Sequence, residues 1–107
     1  MAGKTYRTLQ ELKFKDGGSW SEGVDVEVNY LSDSDSLAEL RSGTDVRKVG
    51  ISRLYKFLKG YPKPPSIALL QRWEEDGICK TPTGQKVEPD GRAMDGSPSW
   101  LLILGMI

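Results

Sequence analysis

The feature that most restricts the fold of this chain is an alternation of apolar and polar side chains across residues 24–30, Val-Asp-Val-Glu-Val-Asn-Tyr. Successive side chains of a β-strand point to opposite faces of a sheet, so this pattern predicts a half-buried strand. Its inward side chains are expected to be Val24, Val26, Val28 and Tyr30. The chain should therefore contain at least one sheet with a face against a core.

Residues 37–41 carry the signals of a short helix. Ser36 stands three positions before Glu39, which is the spacing of a capping box. Acidic residues precede this point, where the positive end of a helix dipole favours them. Ser42 and Gly43 provide a natural end, so the pattern predicts a first helix over residues 37–41.

A second helix is predicted over residues 51–59, followed by a stiff connector. Its apolar side chains recur at the spacing of one α-helical stripe, and Gly60 is the natural stop. The stripe consists of Ile51, Leu54, Tyr55 and Leu58. Residues 61–65 include three prolines, which cannot continue a helix because proline lacks the backbone donor.

A third helix is predicted over residues 67–76, with Ser66 as its N-cap and Gly77 as its C-terminal stop. Its inward side chains are expected to be Ile67, Leu69, Leu70 and Trp73. After this helix, residues 78–81 and 85–88 flank a Pro-Thr-Gly sequence, which predicts a β-hairpin with a short turn.

Two further segments allow alternatives. Residues 6–14 have a mixed pattern, for which a strand is favoured over a short helix. Residues 99–104 are expected in the core, either as a helix begun by Ser97 and Pro98 or as a buried strand. No repeat or long linker divides the chain, and 107 residues suffice for one core. The sequence predicts one small α+β domain over residues 1–107, with about three short helices and a small antiparallel sheet.

The chain contains no histidine and a single cysteine, Cys79. Histidine is the usual general base near neutral pH and the commonest metal ligand, so Ser-His-Asp triads, Cys-His dyads and His-ligated metal sites are excluded. A lone cysteine cannot form an internal disulfide, which fits a reducing compartment. The sequence has no recognisable export signal and no apolar run that could span a bilayer. We expect a cytoplasmic protein without catalytic residues, metal, cofactor or membrane association.

The net charge of zero conceals an uneven distribution of charged residues. Residues 41–72 carry 8 basic and 1 acidic side chain, a net charge of +7, whereas residues 1–40 carry −4 and residues 73–107 carry −3. A basic surface attracts phosphates. The candidates for nucleic-acid contacts are Arg47, Lys48, Arg53, Lys56, Lys59 and Lys63. The alternative is that the acidic flanks neutralise this segment in the folded domain.

Residues 49–58 resemble the turn and recognition helix of helix-turn-helix regulators, in which Gly, an apolar residue and Ser open a helix with an apolar-Tyr-basic core. The resemblance implies DNA contacts by Arg53, Lys56 and Lys59. The sequence departs from the motif because two residues are missing between the turn and the apolar-Tyr pair. In the register that results, Lys56 and Lys59 fall on buried positions of the motif.

Two aromatic residues are candidates for a protein contact. Trp20 lies in a Gly/Ser-rich stretch and is the tryptophan expected to be exposed, while Tyr61 borders the proline-rich connector. A small domain without catalytic equipment still has surface for association. The function favoured by the sequence is a non-catalytic interaction module that binds a protein partner or itself. The alternative is a small nucleic-acid-binding regulator that uses residues 41–72.

Overall fold

The computed structural model describes residues 4–107, in which antiparallel strands predominate. The strands are β1 (Lys4–Arg7), β2 (Leu12–Lys13), β3 (Ser19–Trp20), β4 (Asp25–Tyr30), β5 (Leu37–Ser42), β6 (Asp45–Gly50), β7 (Cys79–Lys80) and β8 (Lys86–Val87); the helices are a 3₁₀ helix (Ile51–Lys56), α1 (Ile67–Asp76) and α2 (Trp100–Ile103). One antiparallel sheet has the order β1-β4-β5-β6, and β2-β3 and β7-β8 form separate hairpins. The α+β class holds loosely, with strands outweighing helices.

The inner face of the four-stranded sheet carries the core. Val26 and Val28 of β4 are buried, as are Ala38 and Leu40 of β5, and the register places Val28 opposite Leu40. Tyr30 lies opposite Ala38 on the same face and is half-buried. The alternation predicted for residues 24–30 is therefore confirmed as a strand with one buried side.

The predicted helix over residues 37–41 is wrong, because these residues form β5. β5 pairs with β4 on one side and with β6 on the other, and Gly43 makes the turn to β6 with a φ of +62°. Its alternate side chains, Ala38 and Leu40, complete the apolar face begun by β4. Strand pairing on both edges stabilises these residues more than one isolated helical turn could, because so short a helix is unstable without tertiary packing.

The predicted helix over residues 51–59 is present as a shorter 3₁₀ helix. A 3₁₀ helix has three residues per turn, so side chains three apart lie on one side. Ile51 and Leu54 are accordingly buried, while Tyr55, which the α-helical stripe placed in the core, is only half-buried. Because residues 45–50 form a strand, the first helix of a helix-turn-helix motif is missing, and the resemblance of residues 49–58 to that motif is local only.

The segment that follows the 3₁₀ helix closes one edge of the sheet. The amide of Leu9 donates to the carbonyl of Phe57 at 2.7 Å, and the amide of Lys59 donates to the carbonyl of Arg7 at 2.8 Å. This segment therefore lies along the side of β1 that faces away from β4. Within residues 4–107, β6 pairs only with β5 and forms the other edge.

The predicted boundaries of α1 are confirmed, but only Leu70 and Trp73 of its four expected inward side chains pack against the core. The Ser66 hydroxyl accepts from the amide of Leu69 at 3.3 Å, and Gly77 ends the helix with a φ of +71°. Leu70 is 1% exposed, whereas Ile67 is 67% and Leu69 38% exposed. The expectation that Ile67 and Leu69 face the core is therefore wrong.

The remaining predictions for the C-terminal third are confirmed in type. β7 and β8 form the expected hairpin, and β7 contacts both α1 and α2. The apolar C-terminal segment is a helix whose N-cap is Ser99, since its hydroxyl accepts from the amide of Leu102 at 3.1 Å. That cap lies two residues after the position that Ser97 and Pro98 suggested. In the part of the chain described, no helix has the length and apolar composition needed to cross a membrane.

Leu70→Ala and Leu69→Ala, on adjacent positions of α1, test the observed orientation of this helix. We expect Leu70→Ala to lower the free energy of unfolding by about 2–5 kcal/mol, because it leaves a cavity in the core. Leu69→Ala changes the same atoms at a more exposed position and should cost less than about 1 kcal/mol. Urea unfolding followed by circular dichroism measures both. Equal losses would contradict the orientation described.

Candidate functional site

Most cations of the basic segment lack an ion pair in the folded domain. Arg41 lies 3.5 Å from Glu39, and Arg47 pairs with Asp16 and Asp45. The basic side chains of residues 41–72 that have no carboxylate oxygen within 4.0 Å, among residues 4–107, are Lys48, Arg53, Lys56, Lys59, Lys63 and Arg72. The acidic flanks therefore pair with only two of the eight cations.

The six candidates for nucleic-acid contacts do not share one surface. Arg47 and Lys48 are neighbours on β6 and point to opposite faces of the sheet. Arg47 lies on the inner face, opposite Leu40, whereas Lys48 lies on the outer face, opposite Glu39. These six residues therefore do not form one continuous positive face from Arg47 to Lys63.

The other four candidates follow one another along the 3₁₀ helix and the connector. Arg53 and Lys56 are both exposed, and their separation of three residues places them on the same side of the 3₁₀ helix. Lys59 and Lys63 are exposed further along the chain. Arg53 and Lys56 are therefore two unpaired cations on one side of a single short element.

A small cleft lies beside Arg53, between the β2-β3 hairpin, the sheet and the 3₁₀ helix. Its volume is about 170 Å³. Its lining consists of Leu12, Lys13, Phe14, Leu40, Val49, Arg53 and Phe57. Two of these residues are charged, and both are cations. The cleft can therefore accept a small apolar or aromatic group attached to an anion. We call Lys13, Arg53 and Lys56 the basic patch.

Three larger depressions in the described residues are less suited to an anionic ligand. The first, of about 390 Å³, lies between Gly77, Ile78 and the β7-β8 hairpin and is shallower. The other two, of about 420 Å³ and 260 Å³, are lined in part by carboxylates, which repel anions: Glu74 and Glu75 in one, Asp25 and Glu27 in the other. None of the three contains an aromatic side chain. Of these four depressions, the cleft beside Arg53 combines aromatic rings with positive charge.

Arg47 does not line this cleft, but it contacts Phe14, which does. Its guanidinium lies 4.2 Å from the centre of the Phe14 ring, and it forms ion pairs with Asp16 and, at 3.1 Å, with Asp45. Asp45 also accepts a hydrogen bond of 2.9 Å from Nε1 of Trp20. Hydrogen bonds from the Gly18 amide and from Arg47 hold the pKa of Asp16 below its usual value.

Trp20 is buried, and the expectation of an exposed tryptophan is wrong. Its side chain is 5% exposed and packs edge-on against Phe14, with ring centres 5.0 Å apart. The Gly/Ser-rich stretch around it is the turn of the β2-β3 hairpin, and Leu12 is its partner on β2. Trp20 therefore supports the cleft from inside and has little surface for a partner.

Tyr61 is also buried, at 5% exposed, and its hydroxyl lies 2.8 Å from that of Tyr30. Its ring packs against Tyr6, with centres 5.2 Å apart. Burial raises the pKa of Tyr30 to about 12, and burial together with the neighbouring Tyr30 raises the pKa of Tyr61 further. Both hydroxyls are protonated at neutral pH, so this pair links the connector to the sheet.

The sequence does not predict Lys13, Phe14 and Phe57 as residues of the site, although all three line the cleft. The signal that could have found the first two is the sequence Leu-Lys-Phe-Lys at residues 12–15, which interleaves basic and apolar side chains. Phe57 follows the 3₁₀ helix, and its position in the lining depends on the tertiary fold. Among residues 4–107, no three Cys, Asp or Glu side chains are grouped closely enough to hold a metal ion.

No protein-family model, no curated protein and no solved structure matches this chain.

Gly18→Ala tests the contact between the hairpin turn and Arg47. A Cβ atom at Gly18 would overlap Nη2 of Arg47, so the substitution should lower the free energy of unfolding. The backbone of Gly18 does not have a positive φ, so alanine itself causes no strain there. In an Arg47→Met background, where the guanidinium is absent, Gly18→Ala should cost less, because the one remaining close contact of the added Cβ is Oδ1 of Asp16 at 3.2 Å. An equal penalty in both backgrounds would contradict the contact.

The tyrosine pair predicts a loss of stability in alkali. An unfolded tyrosine ionises near pH 10.0, whereas folded Tyr30 keeps its proton to about pH 12. Between these values the unfolded state binds fewer protons, so stability falls as the pH rises, by about 1.4 kcal/mol per pH unit for one group. Below pH 10.0 this contribution is fully present. Tyr30→Phe should make the fall shallower; urea midpoints measured across this range for both proteins check it, and parallel profiles would refute it.

Proposed function

We propose that this domain is a non-catalytic module that binds nucleic acid by contacts to the phosphate backbone. The observation that carries the proposal is the basic patch. Arg53 and Lys56 lie on one exposed side of the 3₁₀ helix and, among residues 4–107, have no carboxylate oxygen within 4.0 Å. Lys13 reaches the same cleft from the hairpin.

Unpaired, exposed cations that lie close together favour binding to a polyanion for two reasons. Neutralising phosphates releases the counterions condensed on the nucleic acid, and this release supplies most of the non-specific affinity. The cations also repel one another in the free domain, and an anion between them relieves that repulsion. The proposal needs no ion pair of the fold to break, because Arg47 and Arg41 keep their carboxylate partners.

A protein partner was the function favoured by the sequence, and its specific support has weakened. That preference named Trp20 and Tyr61 as contacts, and both side chains are buried. Association with a protein or with a second copy now depends on a different surface. β6 is the candidate, because it is an edge strand in the described residues and carries the exposed side chain of Val46. We keep this as the second candidate function.

Charge reversal of the patch separates the two candidates. We expect Arg53→Glu/Lys56→Glu to weaken binding to a fluorescently labelled oligonucleotide by at least about tenfold at low salt. The slope of log affinity against log salt should fall by about 1.4, because single strands lose about 0.7 per phosphate contact. Fluorescence anisotropy across a salt series measures both quantities.

The matched control is Lys80→Glu/Lys86→Glu. These two exposed lysines face each other across the β7-β8 hairpin, so the control makes the same change in net charge on another part of the domain. It should retain most of the affinity. Equal weakening by both double variants would show that net charge matters and the patch does not. No binding by the unmodified domain, together with a salt-tolerant dimer in size-exclusion chromatography, would favour the second candidate.

A further inference from the structure

We propose that the cleft beside the basic patch is a pocket for one unpaired base of a single-stranded nucleic acid. The proposal rests on the proposed function and goes beyond it, because phosphate contacts alone do not distinguish single strands from duplexes. It assigns a separate role to the apolar part of the site. The basic patch would hold the backbone, and the cleft would hold the base.

The size of the cleft limits what can enter it. Pockets for drug-sized ligands usually exceed roughly 300 Å³, and this cleft measures about 170 Å³. It therefore has room for one ring system and not for a whole nucleotide. The sugar and the phosphate of a bound nucleotide would remain outside, at the rim where Lys13 and Arg53 lie.

The lining of the cleft has the chemistry that unstacked bases prefer. Leu12, Leu40 and Val49 supply an apolar floor, and Phe14 and Phe57 supply aromatic rings. The chain has two phenylalanines, and both line this cleft. Bases stack on aromatic side chains in single-strand binding sites, and this stacking tolerates any base because every base has a π-face.

Charge selects the same kind of occupant. Lys13 and Arg53 are the charged residues of the lining, so a neutral apolar group would gain nothing from the rim, and a cationic group would be repelled. A base linked to phosphates satisfies both parts of the site. Bases in a duplex are stacked on their neighbours and cannot enter a recess without being flipped out, which costs a few kcal/mol. The geometry therefore favours single strands.

One aromatic wall, Phe14, is positioned before any ligand binds. Its ring lies against Trp20 and under the guanidinium of Arg47. The backbone of Phe57 is attached to the edge of the sheet, because its carbonyl accepts a hydrogen bond from the Leu9 amide at 2.7 Å. A wall positioned in advance loses little conformational entropy on binding.

The test compares three oligonucleotides of equal length on the unmodified domain: an oligothymidine strand, the same strand with every base removed, and a duplex. All three carry the same backbone phosphates per strand. We expect the base-bearing single strand to bind about tenfold or more tightly than the abasic strand, in line with one stacked base. It should also bind more tightly than the duplex at equal salt. The abasic strand should keep a salt-dependent affinity through the basic patch.

Two leucine variants locate the effect. Phe57→Leu keeps an apolar side chain in the cleft and removes the π-face, so it should weaken oligothymidine binding several-fold and leave the abasic strand unchanged. Trp73→Leu changes a half-buried aromatic residue of α1 that does not line the cleft, and it should weaken neither. If Phe57→Leu fails to fold, the comparison of oligonucleotides on the unmodified domain still decides the question.

The possible failures are distinguishable. Equal affinity for the base-bearing and abasic strands would overturn the base pocket and leave phosphate binding in place. A preference for the duplex would overturn it as well. Absence of binding to all three oligonucleotides at low salt would overturn the proposed function, and the pocket with it.

Discussion

The position of Arg47 is the constraint on which the hairpin side of this fold depends. β6 places Arg47 opposite Leu40, so its side chain points to the face of the sheet that carries the core. A guanidinium there is costly unless it is paired and hydrogen-bonded. Asp16 from the β2-β3 hairpin and Asp45 from β6 supply the pairs, and Phe14 covers the charge. The hairpin is thereby drawn onto the sheet, and the cleft forms where the hairpin stops short of the 3₁₀ helix.

Arg92 also joins two separate segments of the chain. It donates to the carbonyls of Leu31, Ser34 and Gly96 and pairs with Asp35, and so joins the β4-β5 connection to the turn that precedes α2. The planar fork of arginine suits such clamps, because several donors are held in one geometry. The cations without ion pairs in the described part of residues 41–72 are mostly lysines, whose strongly hydrated charges remain in solvent. The fold thus uses Arg47 and Arg92 to join separate segments, while Arg53 and the lysines of this segment remain without ion pairs in the described residues.

The sequence predicts those elements whose signals are local. The boundaries of α1 follow from Ser66 and Gly77, which act within one turn of the helix ends, and β4 follows from its own alternation. The capping pattern at Ser36 is also local and wrongly predicts a helix, whereas β5 is stabilised by partners on both edges. The sequence of the 3₁₀ helix predicts an α-helix because Ile51 and Leu54 fit both periods. The two periods diverge only at the next turn, where the α-helical stripe continues to Tyr55 and Leu58 while the 3₁₀ side does not.

The candidate site is harder to predict because three separate segments build it, and only one of them belongs to the basic segment. Lys13 and Phe14 come from a hairpin in the N-terminal third, which is acidic overall. A count of charge by segment therefore does not identify Lys13, which is one of the two cations at the rim. The count also includes Arg47, whose charge is paired with Asp16 and Asp45. What matters for a ligand is which cations remain unpaired next to a recess, and pairing is a property of the tertiary structure. Because the whole chain is neutral, attraction of a polyanion must act at short range, within about a Debye length of the basic patch. Under the proposed function, selectivity would therefore come from the shape of the cleft more than from the field of the domain.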